Sequence, residues 1–413
     1  MNALACRWFG VLVLSASAAG GGSAPAAEDQ SRDFLLRETA GFRRFGYPVH
    51  ARLPAVASGR NFRLERGGKA VPAQFRVVKN SAGQDESVAL DFAASPGPLE
   101  AEKYTVRWGD GVEPGPEPKS GMSVERIENH LVVSHGPSLR YQLPSRGACL
   151  IDSVRNVRQE FLKDNAPGLY LQGPAGKLAE EAATTVRHEI TRSGPLAVGV
   201  RVERVEGLSA PTPLRSTVDL TFPSSKSWVE AVWTVDDPEA RVGDLVVALN
   251  TLMTGQPVLV DFGAANTVYS SLRGGDQWMI LRAGEAPGVF PLATAWEIVK
   301  QDKPTSLLSF ARSLPASPGK AEGWAHVMDS NRCVAVAVDR FGTAQRDSIR
   351  IDGEGRVVLS REFGKDAGKP AGGPKSLRFW FHFVPTPVQV GAVTSPQAMQ
   401  SPLRVQWAGD SAR

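Results

Sequence analysis

The chain has 413 residues, of which 42% are hydrophobic, and this length is enough for two globular domains with apolar cores. Its formal net charge is +4, and no basic run with interleaved aromatic residues occurs, which argues against nucleic acid as a partner. The 41 glycines and 30 prolines impose closely spaced turns, which favour an all-β protein.

The N-terminus has the pattern of a secretory signal peptide. Arg7 precedes an apolar run at 8–14, and small residues follow from Ser15 to Ala27. The apolar run is too short to remain as a membrane anchor, and no later stretch is long and apolar enough for a membrane helix. We therefore expect residues 1–27 to be a Sec-type signal peptide, and the protein to be secreted or periplasmic.

The three cysteines are Cys6, which lies in the predicted signal peptide, Cys149 and Cys333. The last two can pair in an oxidising compartment. The apolar run CVAVAV around Cys333 instead favours buried free thiols.

The chain then divides into a small and a large β region. Residues 28–111 are predicted to hold a lead-in segment, helix-compatible up to residue 46, and a small β-barrel with a hairpin turn at Gly67-Gly68. Residues 112–121 are rich in proline, glycine and glutamate and are predicted to be a linker. Residues 122–405 are predicted to form a large antiparallel β-sandwich, and residues 406–413 a polar tail.

The segment 184–237 shows the strand pattern of the large region most clearly. Four strands are predicted at roughly 185–191, 196–206, 215–222 and 228–236, separated by turn-forming residues. Apolar and polar residues alternate along them, so one sheet face is expected to be packed and the other to be wet. So many strands with so little helical periodicity indicate two stacked sheets.

The order of several segments resembles a known family. These segments are VPAQF, SVERIENHLVVSHGPSLRYQLP, ITRSGPLAVGVRVE, WVEAVWTV, GWAHVMDSNRCVAVAVDRF and KSLRFWFHF. Together they resemble the N-terminal barrel and central sandwich of exo-acting rhamnogalacturonan lyases, over most of residues 45–405. The α/α-toroid of those enzymes has no counterpart here. The resemblance implies a sugar-polymer context, and a broader similarity to galactose-mutarotase-like supersandwiches implies the same.

The strand LRFWFHF holds the clearest candidate for a carbohydrate platform. Its leucine and phenylalanines take one face, so that Arg378, Trp380 and His382 share the other. An aromatic ring beside a cation and an imidazole suits a sugar, although an interface or solvated face explains the same pattern. The wet face that carries Arg201 and Trp228 is the second candidate, with an ordinary solvated surface as its alternative.

Catalytic candidates follow from what eliminative cleavage of a uronate polymer needs, which is a base, a cation and an acid. Tyr141, Tyr170, His188 and His326 can supply the base or acid. His188 alternates with apolar residues, which also fits a core histidine, and His326 has Asp329 nearby as an orienting carboxylate. No metal-binding, phosphate-binding or nucleophile motif is found, so no metal or cofactor is expected.

These observations predict an exported protein that binds acidic, pectin-like or rhamnogalacturonan-like glycans as a non-catalytic or accessory module. One alternative is a polysaccharide lyase that acts by β-elimination on uronate-containing glycans. Another is a structural cell-surface β-sandwich module.

Overall fold

Alternation of apolar and polar residues produces strands along nearly all of the described chain. The computed structural model describes residues 29–54, 61–119, 121–163, 168–173, 176–178, 185–206, 213–263, 268–283, 296–300, 303–306, 321–342, 346–366, 369–370, 372–387 and 394–409. Within these ranges the strands pair antiparallel, and one short helix is present. The predicted all-β class with antiparallel sheets is confirmed. The predicted signal peptide lies outside the described residues.

The first seven strands build a small N-terminal module from two sheets. One sheet has the order β1-β7-β3-β4 and the other β2-β6-β5. The strands are β1 Gln30–Arg37, β2 Tyr47–Pro54, β3 Asn61–Arg66, β4 Lys69–Val71, β5 Ala73–Lys79, β6 Asp85–Ala94 and β7 Ala101–Gly109.

Residues 30–37 form a strand, so the helix-compatible reading of the lead-in segment is wrong there. Phe34 and Leu36 are buried in the module while their neighbours are more exposed, which is the period-two pattern of a strand. β1 pairs with β7 over its whole length. Tertiary pairing therefore decides the conformation of this charged segment, against its weak helical propensity.

Twenty-four further strands follow before the helix. They are β8 Met122–Ile127, β9 His130–His135, β10 Leu139–Pro144, β11 Ser153–Asn156, β12 Gln159–Glu160, β13 Gly168–Gly173, β14 Gly176–Lys177, β15 Thr185–Arg192, β16 Ala197–Glu206, β17 Leu214–Pro223, β18 Trp228–Asp237, β19 Asp244–Asn250, β20 Val258–Phe262, β21 Val268–Leu272, β22 Gly274–Ala283, β23 Trp296–Lys300, β24 Lys303–Ser306, β25 Trp324–Met328, β26 Arg332–Val338, β27 Arg346–Gly353, β28 Arg356–Glu362, β29 Lys365–Asp366, β30 Lys369–Pro370 and β31 Gly373–Pro385.

Three sheets of the large region enclose one apolar core. The nine-stranded sheet has the order β15-β16-β17-β18-β31-β26-β25-β20-β21. The eight-stranded sheet has the order β14-β13-β19-β28-β27-β22-β23-β24, and the five-stranded sheet runs from β12 to β8. Side chains from all three meet in the core, among them Trp233, Phe379 and Phe381. The four strands predicted within 184–237 are β15 to β18, and they are neighbours in that order.

The chain returns to the N-terminal module at its end. The helix α1 Pro396–Gln400 is capped by the Ser395 side chain, and β32 Arg404–Trp407 follows it. β32 pairs with β1, and the Trp407 ring lies 4.8 Å from that of Phe34. Gln406 and Trp407, predicted to begin a polar tail, are therefore part of a sheet.

The outer face of the nine-stranded sheet packs against the N-terminal module. Three indoles of that face, Trp228, Trp324 and Trp380, belong to one apolar cluster with module residues. The module side of the cluster includes Tyr47, Leu53, Phe92, Tyr104 and Trp108, and α1 adds Met399. The module is thus held to the sandwich by a second hydrophobic core.

We expect Trp380→Ala to lower the free energy of unfolding by about 3–5 kcal/mol, because it removes a buried ring from this second core. The matched control is Tyr269→Ala, since Tyr269 is 82% exposed and its removal should change stability by only about 0.5 kcal/mol. Urea denaturation measures both. Equal, small effects would show that the module does not cover Trp380 in solution.

Candidate functional site

The predicted platform residues do share one face of β31, but the N-terminal module covers that face. Trp380 is 2% exposed, His382 0%, and Trp228 on the neighbouring strand 3%. A period-two pattern identifies the two faces of a strand without showing which layer lies against each. The interface alternative therefore describes Trp380 and His382, for which the expectation of an exposed platform is wrong. Trp228 was expected on a wet face, and its burial contradicts that expectation too.

Arg378 and Trp380 on this face both bind Glu230 on the neighbouring strand. Arg378 directs Nε and Nη2 at Oε1 of Glu230, at 3.0 and 2.8 Å, and Trp380 donates its indole N–H to the other oxygen at 3.2 Å. The guanidinium also lies 4.9 Å from the Trp380 ring centroid. Glu230 thus already takes the carboxylate place that a uronate ligand would need at Arg378.

His382 lies deepest in the interface. Among the described residues, neither ring nitrogen has a partner in hydrogen-bonding geometry, although the backbone of Thr394 is close enough to oppose part of the pKa shift. Burial chiefly, with repulsion from the Lys226 ammonium, lowers the pKa of His382 to about 3. Burial likewise lowers the pKa of Lys226 to about 8. His382 is therefore a neutral core imidazole at ordinary pH.

The second predicted surface, around Arg201, is exposed and wet. Arg201 forms two hydrogen bonds to Asp219 on the neighbouring strand, at 2.8 and 3.1 Å, and Arg187 forms a looser ion pair with Glu203 at 3.7 Å. Cross-strand ion pairs of this kind are usual on a solvated sheet face. Sugar binding by Arg201 stays a prediction.

Two of the catalytic candidates lie in the protein interior. Tyr141 is 1% exposed, and burial holds its pKa above the usual range. His188 is buried, and desolvation together with the charge of Arg126 lowers its pKa to about 4. Both positions fit core residues rather than groups that meet a ligand.

Tyr170 and His326 occupy more open positions. Tyr170 is half-buried in β13 of the eight-stranded sheet. His326 contacts Asp261 on the adjacent strand, with Nδ1 2.7 Å from Oδ1, rather than the predicted Asp329. Asp329 instead accepts backbone N–H groups from two turns, including those of Thr254 and Gly255.

An aromatic ring with a stacked cation does occur on an accessible face, on the eight-stranded sheet. The guanidinium carbon of Arg350 on β27 lies 4.3 Å from the ring centroid of Trp278 on β22. Trp278 is half-buried and Arg350 is exposed. Among the described residues, no carboxylate is paired with Arg350, although Arg378 and Arg201 each have one. We call these two residues the Trp278–Arg350 pair.

Sequence reasoning missed this pair, although part of the signal was present. Trp278, Ile280 and Arg282 alternate with the core residues Met279 and Leu281, which places an indole and a guanidinium on one outer face. The partner Arg350 comes from another strand, and only the β22–β27 register brings it diagonally across from Trp278.

Hydroxyl groups lie beside the pair. Arg350 faces Ile280 in the register, and the next cross-strand pair contains Ser348 and Arg282. Ser348 hydrogen-bonds Ser360 at 2.7 Å. The outer face therefore offers a ring, a guanidinium and hydroxyls on rigid strands.

In the described part of the chain, no group of three His, Cys, Asp or Glu side chains could hold a metal ion. Within the same ranges, no helix has the length and apolar character that a membrane crossing requires. Cys149 and Cys333 are half-buried thiols, and no disulfide joins them among the described residues.

Comparison with known proteins gives a likeness of fold. No family model matches the chain, and no characterised protein matches its sequence. An α-mannosidase from Enterococcus faecalis V583 aligns with TM-score 0.58 and 11% identity over 91% of this chain and 46% of its own. A glycosyl hydrolase family 38 protein from E. faecalis aligns with TM-score 0.58 and 10% identity over 91% and 47%. The chain spans about half the length of these structures.

His382 gives a testable pH dependence of stability. Its folded pKa of about 3 lies below the ordinary 6.5, so between these values the unfolded chain binds more protons and stability falls as pH falls. This one group contributes a slope of about 1.4 kcal/mol per pH unit below pH 6.5. Unfolding free energies at pH 7, 6 and 5 should therefore decline less steeply for His382→Leu than for the wild type. Equal slopes would show that His382 is solvated.

Proposed function

We propose that this protein is an exported, glycan-associated module that binds acidic polysaccharide through the Trp278–Arg350 pair. The observation that carries the proposal is that Arg350 is exposed and fixed on a ring without a carboxylate partner among the described residues. A cation held in place without an anion suits an anionic ligand.

The chemistry of a uronate fits this arrangement. A planar guanidinium can donate two parallel hydrogen bonds to a carboxylate, and stacking on the indole fixes its orientation beforehand. An indole also offers its face to the polarised C–H groups of a pyranose ring. The Ser348 and Ser360 hydroxyls, on neighbouring strands, can hydrogen-bond sugar hydroxyls.

The fold and the sequence give further support. The two E. faecalis proteins of similar fold are named as an α-mannosidase and a glycosyl hydrolase, which places this architecture in proteins that act on sugars. The resemblance of the sequence to exo-rhamnogalacturonan lyases favours a pectin-like or rhamnogalacturonan-like glycan. The signal-peptide pattern favours a secreted or periplasmic protein, where such polymers are met.

The lyase alternative needs a base close to the cation. Tyr170, the predicted candidate on this sheet, lies three strands from β27, or about 14 Å at the usual strand spacing. His326 is on the other large sheet. The residues gathered around Arg350 therefore favour binding over elimination. Absorbance of unsaturated uronate during incubation with rhamnogalacturonan tests the alternative directly.

We expect Arg350→Gln and Trp278→Ala each to weaken binding of a hexameric oligogalacturonate by about 1–3 kcal/mol in calorimetric titration. Arg350→Lys should also weaken it, because the charge stays and the planar fork is lost. The charge-matched control is Arg187→Gln, an exposed arginine on the opposite sheet that should leave the affinity unchanged.

Other outcomes separate the remaining hypotheses. Loss of binding in Arg201→Gln with full affinity in Arg350→Gln would move the site to the wet face of the nine-stranded sheet. No binding of any acidic glycan by the wild type would contradict the proposal and leave the structural cell-surface module as the better description.

A further inference from the structure

A second accessible cluster lies at the β21 end of the nine-stranded sheet. Tyr269 on β21 pairs with Asp261 on β20, and Asp261 pairs with His326 on β25, so the three side chains form one row on the outer face. Tyr269 is 82% exposed, the largest exposure among the described large hydrophobic residues. The side chains of Asp261 and His326 are 22% and 20% exposed. We call this row the edge cluster.

The edge cluster presents hydrogen-bond acceptors to solvent. An ionised carboxylate can only accept, so the 2.7 Å contact requires His326 Nδ1 to donate to Asp261 Oδ1. In the neutral ring, Nε2 is then an acceptor. Among the described residues, no donor is bound to His326 Nε2 or to Asp261 Oδ2. Two acceptors on neighbouring strands therefore lie in one cross-strand row with an exposed phenol ring.

Neighbouring side chains hold this geometry in place. The Trp324 ring packs edge-on against His326 at 5.4 Å, and its indole N–H donates to Glu322 at 2.7 Å. Gln397 donates to the same Glu322 oxygen, also at 2.7 Å. A Cβ at Gly263 would collide with the Trp324 indole, so the ring depends on that glycine. A site fixed before binding loses less entropy when a ligand arrives.

We propose that the edge cluster binds an uncharged sugar residue, which stacks on Tyr269 and donates two neighbouring hydroxyls to Asp261 Oδ2 and His326 Nε2. An aromatic ring attracts the C–H face of a pyranose. A carboxylate and an imidazole lone pair accept from hydroxyl groups, whereas the Asp261 charge opposes the carboxylate of a uronate. The ligand class is thus a neutral glycan, which differs from the acidic glycan proposed for the Trp278–Arg350 pair.

This site is independent of the acidic-glycan site. The two lie on different sheets, although β21 leads through Arg273 directly into β22, which carries Trp278. Failure of either proposal therefore leaves the other open to its own test.

To test this, the whole protein is titrated in a calorimeter with two probes of equal length, mannohexaose and hexameric oligogalacturonate. We expect Tyr269→Ala and Asp261→Asn each to weaken mannohexaose binding about ten-fold or more, while Tyr269→Phe keeps most of it because the ring remains. Glu203→Gln removes an exposed carboxylate elsewhere on the same sheet and should have no effect.

Leu259→Ser tests for non-specific apolar adhesion, because Leu259 is an exposed neighbour on β20. A loss in Leu259→Ser as large as that in Tyr269→Ala would overturn the proposal. So would undetectable binding of mannohexaose by the wild type at millimolar concentration, or full affinity in Tyr269→Ala. If the edge-cluster variants lost affinity equally for both hexamers, the surface would have no charge preference, and this would also contradict the proposal.

Discussion

The contact between the outer face of the nine-stranded sheet and the N-terminal module determines which surfaces of this protein can meet a ligand. Trp228, Trp324 and Trp380 enter a second hydrophobic core there, and Glu230 completes it by accepting from Arg378 and from the Trp380 indole. The Glu230 side chain is only 23% exposed, so these donors take the place of much of its hydration beside the apolar packing. β32 strengthens the interface between sandwich and module, because after the sandwich the chain continues into the module and pairs with β1.

Much of the fold follows from the sequence, because alternation is a local signal. The pattern in 184–237 predicted four consecutive strands, and the alternation in LRFWFHF separated Phe379 and Phe381 from Trp380. What covers a face depends on residues far away in the chain, here a module some 300 positions earlier than Trp380. No local pattern contains that information, so an interface row and an exposed platform look alike in sequence.

The candidate sites show the same limit in another form. Arg378 and Trp380 are two residues apart in one strand, and this made them visible in the sequence, yet the guanidinium and the indole N–H both bind Glu230. Trp278 and Arg350 come from two strands and meet only through the register of β22 and β27. His326 likewise has a carboxylate partner, but register assigns it to Asp261 rather than to the nearby Asp329. The sequence indicated which side chains share a face of one strand, but not which side chains from different strands contact each other.

Both proposed surfaces are built on strands rather than on loops, and this has a consequence for binding. Side chains on paired strands keep their spacing, so each site is organised before a ligand arrives. The strands β21 and β22 are consecutive in the chain and belong to different large sheets, so Tyr269 and Trp278 lie on the outer faces of two sheets. A polymer with both neutral and acidic residues could engage both, and the second contact would then be intramolecular. The gain in apparent affinity depends on a ligand long enough to reach from one sheet to the other, because avidity is lost when geometry forbids simultaneous contact.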